Sequence, residues 1–384
     1  MPHRFLLLSA GMGAGHDAVA HELAHRLRAR GHHTAVRDIL TLLPAGTGRA
    51  LRTGYRATVR HLPGLYGAVY AGFLATGPGT GPATGPRPSS APLAALAERP
   101  LLRTVARWRP DVVVPTFHLC AQVTGRLRAR GALSVPAAVV VVDFDVHRGW
   151  LHAGNDLHLC VTDGAAHQVR AATGRRARTT GPVVPTDFFA TADPDSHWRA
   201  LLARHAAASS ERGAGPAGRP AVLLSTGAWG VGTRLLETAR HLTEHGCLPV
   251  LLCGNDEGLR RRAARHLGLL PLGWVTDLPE LMAVSDVLLD NAAGQTAAQA
   301  LAAGLPVVGH RPLPGHAVAG VRAMARAGLS RHAHGAGEPA RTVRALAAPG
   351  PARSRQIAAA RAAFRTDAAA ELERLAASAR DHRD

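Results

Sequence analysis

Short, continuous runs of hydrophobic residues alternate with longer helix-forming stretches along almost the whole chain, and this pattern constrains the fold most. Five such runs are residues 4–10, 111–116, 137–144, 221–226 and 287–292. Their apolar residues are consecutive and do not alternate with polar ones, which predicts strands that are covered on both faces. Strands of that kind form parallel sheets flanked by helices. The sequence therefore predicts an α/β protein.

The chain has 384 residues, which is too long for one ordinary core and predicts two domains. A stretch rich in Ser, Gly and Pro at 206–220 predicts a linker between a first domain at 1–205 and a second at 221–349. Strong helix formers predict one long C-terminal helix at 350–384. A Gly- and Pro-rich stretch at 77–92 predicts a mobile loop. Two doubly wound domains would leave a cleft, with ligands at the carboxyl ends of the strands.

The net charge of +18 favours contact with an anionic surface, and every basic residue that produces it is an arginine. The arginines are spread along the chain and do not alternate with aromatic residues, as a base-stacking surface would require. Nucleic acid is therefore not the expected partner. The charge is interpreted first as a property of the protein surface, and an anionic membrane stays open as its partner.

The cysteines have no zinc-type spacing and are expected to be buried, free thiols in a reducing cytoplasm. They are Cys120, Cys160, Cys247 and Cys253. The hydrophobic start is short and broken by Gly11, so no signal peptide is predicted. The longest hydrophobic run contains Asp143 and is too short to span a bilayer. We expect a protein that is soluble or lies on a membrane from outside.

Glycines at residues 11–15 follow the first predicted strand and are followed directly by His16. A dinucleotide fingerprint would have glycine where His16 stands, although Asp38 lies at a suitable distance, so that interpretation stays open. A phosphate loop needs a lysine, and the chain has none. A tight strand-to-helix turn remains, whose amides can approach a phosphate or a sugar. His16 would then accept a proton in the cleft or be an ordinary exposed histidine at a helix start.

The residues around this turn resemble the start of the monogalactosyldiacylglycerol synthase and processive diacylglycerol glucosyltransferase family. The first domain carries three segments of this kind: a glycine turn and alanine-rich helix at 9–31, "DFDVHRGW" within 139–169, and "TTGPVVPTDF" at 179–188. The second domain continues in the family's order with "STGAWGVG", "LLCGNDEGL", "LGWVTDLPELMAVSDVLL" and "AAGQTAAQALAAGLPVVGHRPLPG". The resemblance covers nearly the whole chain except 77–92 and the tail.

This resemblance implies a GT-B fold, in which an N-terminal acceptor domain and a C-terminal nucleotide-sugar domain face a cleft. It implies an inverting transfer of sugar from a UDP-sugar to a lipid acceptor such as diacylglycerol, without a metal or other cofactor. His16 matches the family's glycine-loop histidine, which implies the catalytic base. The localisation implied is cytoplasmic, at the inner face of the cell membrane.

The remaining site residues follow from the same resemblance. Donor phosphates would meet amides at helix starts in the two glycine-containing turns of the second domain, and the first domain's turn would assist. We assign the donor phosphates to Gly13, Gly15, Gly227, Ala228, Gly294, Gln295 and Thr296. We assign the nucleoside to Trp274, Val275 and Gln299. We assign the lining for acceptor or sugar to Asp145, His147, Arg148, Trp150 and His316. The spacing of His147 and His152 is not expected to form a metal site.

The sequence departs from the family in the donor-binding half. Gln299 stands where a ribose-binding glutamate is usual, and a neutral acceptor should bind ribose less strongly by about 1 kcal/mol. His316 and Ala317 replace Gln-Glu, and Gly320 replaces an asparagine. Asn291 replaces a lysine and Ala293 replaces the first glycine of a pair. These changes can alter the donor sugar or abolish activity.

A docking surface is predicted at residues 49–77, where arginines are followed by Tyr66, Tyr70 and Phe73 at helical spacing. This aromatic face would enter the headgroup region or pack on the core. Two alternatives to the glycolipid enzyme stay open. One is a glycosyltransferase that uses a soluble natural product and another donor. The other is a non-catalytic relative that associates with membranes.

Overall fold

In the computed structural model, the described residues are 1–75, 90–213, 218–335 and 337–381. They form strands and helices in two compact units. Unit 1 consists of Met1–Val183, Pro314–His316 and Ala363–Asp384. Unit 2 consists of Val184–Leu313 and Ala317–Ala362.

Unit 1 contains six parallel strands, in agreement with the continuous hydrophobic runs. Two three-stranded sheets have the orders β2-β1-β3 and β4-β5-β6, and a parallel bridge between Val113 and Ala137 joins them. The strands are β1 (Arg4–Ser9), β2 (His33–Asp38), β3 (Val112–Pro115), β4 (Ala138–Val140), β5 (Leu157–Cys160) and β6 (Arg176–Thr179).

Helices connect these strands, as expected for crossovers between parallel neighbours. They are α1 (Ala14–Ala29), α2 (Thr47–His61), α3 (Pro63–Phe73), α4 (Ala91–Trp108), α5 (His118–Ala129) and α6 (Asp163–Thr173). Short 3-10 helices cover Ile39–Leu42 and Arg148–Trp150. Leu6 and Leu8 point to one face of β1, and Phe5 and Leu7 point to the other. Each of these four side chains is fully buried.

Unit 2 contains one parallel sheet of six strands in the order β12-β11-β10-β7-β8-β9. Its strands are β7 (Ala221–Ser225), β8 (Leu248–Leu252), β9 (Leu270–Leu272), β10 (Val287–Asp290), β11 (Val307–His310) and β12 (Arg331–Ala333). Its helices are α7 (His197–Glu211), α8 (Leu235–Glu244), α9 (Glu257–Ala263), α10 (Leu278–Ala283), α11 (Gln295–Ala302), α12 (His316–Arg326), α13 (Glu338–Ala347) and α14 (Pro351–Ala363), and a 3-10 helix covers Thr186–Phe189. The first residue of α12, His316, and the last residue of α14, Ala363, belong to unit 1.

The division between the units lies upstream of the predicted linker. The chain enters unit 2 at Val184, and α7 already belongs to that unit. Trp198 on α7 explains this, because its buried indole donates a hydrogen bond from Nε1 to Asp277 Oδ2 at 2.7 Å. Residues 206–211 of the predicted linker lie in this helix, and 214–217 lie outside the described residues.

The C-terminal region is built from two helices, α14 and then α15 (Ala368–Asp381), which returns to unit 1. Asp367 separates them because its Oδ1 accepts a hydrogen bond from the amide of Ala369 at 3.0 Å. The buried Leu372 of α15 joins the core that contains Leu7. Arg30 fixes the start of the helix by binding Asp367 at 2.8 Å.

Most of the predicted loop at 77–92 lies outside the described residues, and its last two residues begin α4. The four cysteines are buried and free. Among the described helices, none combines the length and the apolar character that a bilayer span requires.

Candidate active site

The turn after β1 fixes the position of His16. Gly13 has a φ of 135°, a conformation that strongly favours glycine, and α1 begins at the next residue. Ser9 at the end of β1 donates a hydrogen bond to Asp17 in the first turn of α1. His16 is therefore held at the carboxyl end of the strand. The turn is a strand-to-helix connection of the predicted kind.

Backbone contacts determine which nitrogen of His16 can accept a proton. Nδ1 lies 2.9 Å from the carbonyl oxygen of Thr116. A carbonyl only accepts hydrogen bonds, so the proton is on Nδ1 and the lone pair is on Nε2. The rings of Phe117 and Trp150 lie 4.9 and 6.2 Å from the imidazole, centroid to centroid. His16 is thus a half-buried imidazole with a fixed tautomer.

The surroundings keep His16 neutral at neutral pH. Burial lowers the pKa of His16 below its usual value of 6.5. The negative charge of Asp143 and the Thr116 carbonyl act in the opposite direction, and His316 lowers the pKa further. A neutral imidazole with an available Nε2 is the form that a general base requires.

Asp143 organises the segment that follows β4. Its Oδ2 accepts a hydrogen bond of 2.7 Å from Nε1 of Trp150 and lies 3.6 Å from Nε2 of His147. Gly149 donates its amide hydrogen to Nδ1 of His147 at 3.1 Å, so the His147 proton is on Nε2, towards Asp143. Burial lowers the pKa of His147 well below its usual value, and this ring is neutral too.

The predicted lining at this segment is only partly accessible. The side chain of Trp150 is fully buried and that of His147 is 4% exposed, so both pack beneath the protein surface and do not line it. Asp145 and Arg148 are half-buried, and Asp145 accepts a hydrogen bond from Gln168 at 3.2 Å. Of the four residues, these two have the more accessible side chains.

Sequence reasoning missed His118, the first residue of α5. Its ring lies 4.1 Å from that of Phe117 and 5.1 Å from that of His147, centroid to centroid. Nδ1 is buried without a hydrogen-bond partner among the described residues. Burial lowers the pKa of His118 to about 3. A signal was available, because His118 follows β3 at the edge where ligands bind in parallel sheets.

The side chain of His316 belongs to the same unit and contacts α3. Its Nδ1 forms a hydrogen bond of 2.8 Å with the Tyr66 hydroxyl, and the Tyr70 ring lies 6.3 Å away. Burial raises the pKa values of Tyr66 and Tyr70 above the ordinary tyrosine value, so both are neutral. The predicted face of Tyr66, Tyr70 and Phe73 is therefore split. The tyrosines turn inward, whereas Phe73 is 43% exposed.

His147 and His152 each accept a hydrogen bond from a backbone amide and do not form a metal site with each other. Nδ1 of His152 accepts a hydrogen bond from the Gly154 amide at 3.0 Å, whereas His147 is engaged with Gly149. Within the described ranges, one group of three potential ligands lies close enough together to share an ion, and it comprises His241, Glu244 and His245 in unit 2.

In unit 2, Gly227 and Ala228 lie in a turn after β7 that ends before α8 begins at Leu235. Their amides therefore do not start a helix, which differs from the prediction. Gly227 has a φ of 61°, and the carbonyl of Ala228 accepts a hydrogen bond from Asn255 at 3.0 Å. This turn offers backbone groups but no helix dipole.

The second set of predicted phosphate-binding residues lies at the start of a helix, as expected. Gly294 is the N-cap of α11, and Gln295 and Thr296 form its first turn, where the helix dipole is positive. The preceding amides of Ala292 and Ala293 donate to Asp290 Oδ2 at 3.0 and 2.6 Å. Gln299 lies one turn further along and is half-buried.

Trp274 and Val275 follow β9, an edge strand of the unit 2 sheet that is separated from β10 by β7 and β8. The indole of Trp274 is 56% exposed, which excludes a core role for this side chain within unit 2 as described. Val275 is half-buried. An exposed aromatic beside backbone amides is suited to stack on a flat ring.

Two departures from the family pattern, Ala293 and Gly320, lie next to each other in the structure. Ala293 has a φ of 49°, in the left-handed region that favours glycine. A Cβ atom at Gly320 would lie 2.9 Å from the Cβ of Ala293. An asparagine at 320 therefore conflicts with an alanine at 293, and the loss of one side chain accommodates the gain of the other.

Residues 16–184 match the family described as monogalactosyldiacylglycerol (MGDG) synthase. A processive diacylglycerol beta-glucosyltransferase of Bacillus licheniformis is 24% identical over 228 residues, which is 57% of this chain and 56% of that protein. The chain spans about half the length of the curated relatives it matches.

The chain resembles the diacylglycerol glycosyltransferase family.

Solved structures identify the fold. The glycosyltransferase SnogD from Streptomyces nogalater superimposes with a TM-score of 0.59 and 17% identity, over 98% of this chain and 100% of that one. Anabaena Alr3699/HepE in complex with UDP-glucose gives a TM-score of 0.54 and 14% identity, over 99% of this chain and 100% of that one. The predicted GT-B fold, with two Rossmann-like units, is confirmed.

Proposed function

We propose that the protein transfers a sugar from a UDP-sugar to the hydroxyl of a lipid such as diacylglycerol. The observation that carries this proposal is the fixed, neutral His16 imidazole at the carboxyl end of β1. The family match begins at this residue and covers most of unit 1. A relative that matches half of this chain is a processive diacylglycerol beta-glucosyltransferase.

His16 is the general base in this proposal. The acceptor oxygen attacks the anomeric carbon while the bond from that carbon to the UDP oxygen breaks. The hydroxyl proton passes to Nε2 of His16, and UDP leaves with the electron pair of the broken bond. Attack opposite the leaving group inverts the anomeric configuration. A positioned base of this kind contributes roughly 10²–10⁴-fold to the rate.

Unit 2 holds the donor. The first turn of α11 supplies amides and a positive dipole to the diphosphate, while Gln299 meets the ribose and Trp274 lies against the uracil. The structural neighbour HepE, solved with UDP-glucose, supports a UDP-sugar as the donor. We propose that neither a metal nor another cofactor takes part, because the helix terminus supplies the positive potential.

We propose that unit 1 docks on the inner, anionic face of the cell membrane through α3. Leu65, Val69 and Phe73 recur every four residues on this helix and are 52, 47 and 43% exposed. Leu62, at its N-cap, adds a further side chain that is 56% exposed. This stripe replaces the tyrosine face that the spacing predicted.

Charge on the neighbouring helix supports a bilayer as the occupant of this stripe. Arg49, Arg52 and Arg56 lie on α2 with exposed side chains, although Arg52 is paired with Asp38 at 2.7 Å. Helix α2 packs on α3 through the rings of Tyr55 and Tyr66, whose centroids are 5.6 Å apart. An arginine near an anionic surface contributes about 1 kcal/mol. Apolar side chains in the headgroup region and arginines at lipid phosphates are the pattern of an interfacial helix.

The test is a transfer assay with diacylglycerol in anionic vesicles and a panel of UDP-, dTDP- and GDP-sugars, run with and without a chelator. We expect a glycolipid of inverted configuration from a UDP-sugar, at a rate that the chelator leaves unchanged. Transfer to soluble acceptors alone, or from another nucleotide alone, would replace this proposal with a natural-product glycosyltransferase. Binding of UDP without transfer to any acceptor would indicate a non-catalytic relative.

A further inference from the structure

Helix α8 ends in two histidines and a glutamate that the proposed transfer does not use. His241, Glu244 and His245 have the spacing i, i+3 and i+4, which places them on one side of a helix end. The helix is anchored through Leu242, which is fully buried. The group lies just before the turn that leads into β8.

The three side chains already lie close enough to share one ion. One ligand atom from each residue lies within 4.8 Å of the other two. The two imidazole rings are 4.1 Å apart, centroid to centroid. Glu244 and His245 are exposed, so an ion can reach them from solvent.

The hydrogen bonds leave imidazole lone pairs for a metal. His245 donates from Nδ1 to the carbonyl oxygen of His241 at 2.8 Å, so its Nε2 carries the lone pair. Metal-binding histidines commonly have this arrangement, in which a backbone carbonyl fixes the other nitrogen. Nε2 of His241 is buried without a partner among the described residues.

We infer that His241, Glu244 and His245 bind a divalent transition metal of the zinc type. Two imidazoles and one carboxylate suit Zn²⁺, Ni²⁺ or Co²⁺, whereas Ca²⁺ and Mg²⁺ prefer oxygen ligands. The Arg240 Nε atom lies 3.8 Å from Glu244, and both side chains are more than half exposed, so this ion pair is weak and can be exchanged for the metal. The ion stabilises the folded chain by closing the end of α8.

The test titrates the full chain, without an affinity tag, with Zn²⁺ by calorimetry and with Co²⁺ by visible absorption. We expect one principal site, and we expect His241→Ala/His245→Ala to weaken it at least tenfold and to remove the Zn²⁺-dependent rise in Tm. The matched control is His21→Ala/His25→Ala, which removes an exposed i, i+4 histidine pair on α1. The control should retain full affinity and the full Tm shift.

Glu244→Gln separates a three-ligand site from simple binding by a histidine pair. We expect it to weaken Zn²⁺ binding while the fold, measured by circular dichroism, is unchanged. Equal affinity in the parent chain and in His241→Ala/His245→Ala would overturn the inference, as would equal losses in that variant and the α1 control. Sugar transfer is measured separately, so neither result depends on it.

Discussion

The carboxyl ends of the two sheets carry different kinds of groups. In unit 1, side chains that follow β1, β3 and β4 contact one another. The ring of His16 lies 4.9 Å from that of Phe117, centroid to centroid, and Asp143 accepts a hydrogen bond from Trp150. In unit 2, the predicted donor residues present mainly backbone amides at α11 and an exposed indole at Trp274. Arg311 of unit 2 is paired with Glu237 at 2.9 Å.

This difference assigns separate tasks to the two regions. A positioned side chain that can accept a proton, such as the neutral imidazole of His16, suits the removal of a proton from the acceptor. A diphosphate is well held by amides and a helix dipole, which need no particular side chain. Substitutions in unit 1 should therefore lower turnover, whereas substitutions in unit 2 should change donor affinity or the stability of the donor loop.

The strongest test of this separation is His16→Ala. We expect turnover to fall about a hundredfold or more, because the base is lost, while UDP affinity measured by calorimetry changes little. His21→Ala, an exposed residue on the same helix, is the control and should retain full activity. Full activity in His16→Ala, or an equal loss in both variants, would contradict the assignment of proton removal to His16 in unit 1.

The second test removes the apolar surface of unit 1. We expect Leu65→Ser/Val69→Ser to lower partitioning onto anionic vesicles about tenfold or more, because two exposed side chains no longer enter the headgroup region. Leu267→Ser in unit 2 has a matched exposure of 51%, against 52% for Leu65, and should have no effect. Equal partitioning of all three proteins in co-sedimentation would remove α3 as the docking surface.

The third test addresses the donor loop of unit 2. We expect Gly320→Asn to destabilise the fold by about 1–3 kcal/mol, because the new side chain meets Ala293. Ala293→Gly combined with Gly320→Asn should recover most of that loss, since glycine removes the Cβ and accepts the positive φ. Urea unfolding of the four proteins in the cycle measures the coupling. A coupling energy of zero in this cycle would show that the two positions are independent.

The smallest effect is expected from Gln299→Glu. A charged acceptor should bind ribose hydroxyls more strongly by about 1 kcal/mol and tighten UDP about fivefold in calorimetry. Gln299→Ala should weaken UDP binding, and neither variant should change the proton-transfer step. Unchanged affinity in both would place the ribose away from α11.

The fold was predictable because it depends on hydrophobic patterning, and the continuous apolar runs at Phe5–Leu8 and Val112–Val114 are buried strands. The boundary between the units could not be predicted from hydrophobic patterning. Tertiary contacts such as the hydrogen bond from Trp198 to Asp277 attach α7 to unit 2, and the amino-acid composition of the segment does not reveal them. The break at Asp367 is similar, because one capping carboxylate divides a continuous run of helix formers.

The site was partly predictable for the same reason. His16 follows a local signal, a glycine turn after a strand, whereas His118 and Tyr66 are brought in by tertiary packing. Helical spacing placed Tyr66, Tyr70 and Phe73 on one face, but spacing alone cannot tell which side of a helix is covered. Leu65 and Val69 are the residues that this helix exposes.

The central claim is that neutral His16 is the base and that Asp143 adjusts its proton affinity. The pH dependence of kcat/KM for the parent chain and Asp143→Asn tests it most directly, because kcat/KM reports the pKa values of the free enzyme. Burial lowers the pKa of His16, so the acid limb should lie below pH 6.5, and activity should be lost as His16 becomes protonated. Asp143 raises this pKa, so its neutralisation should move the limb to lower pH. An acid limb at or above pH 6.5 that does not move in Asp143→Asn would contradict the account.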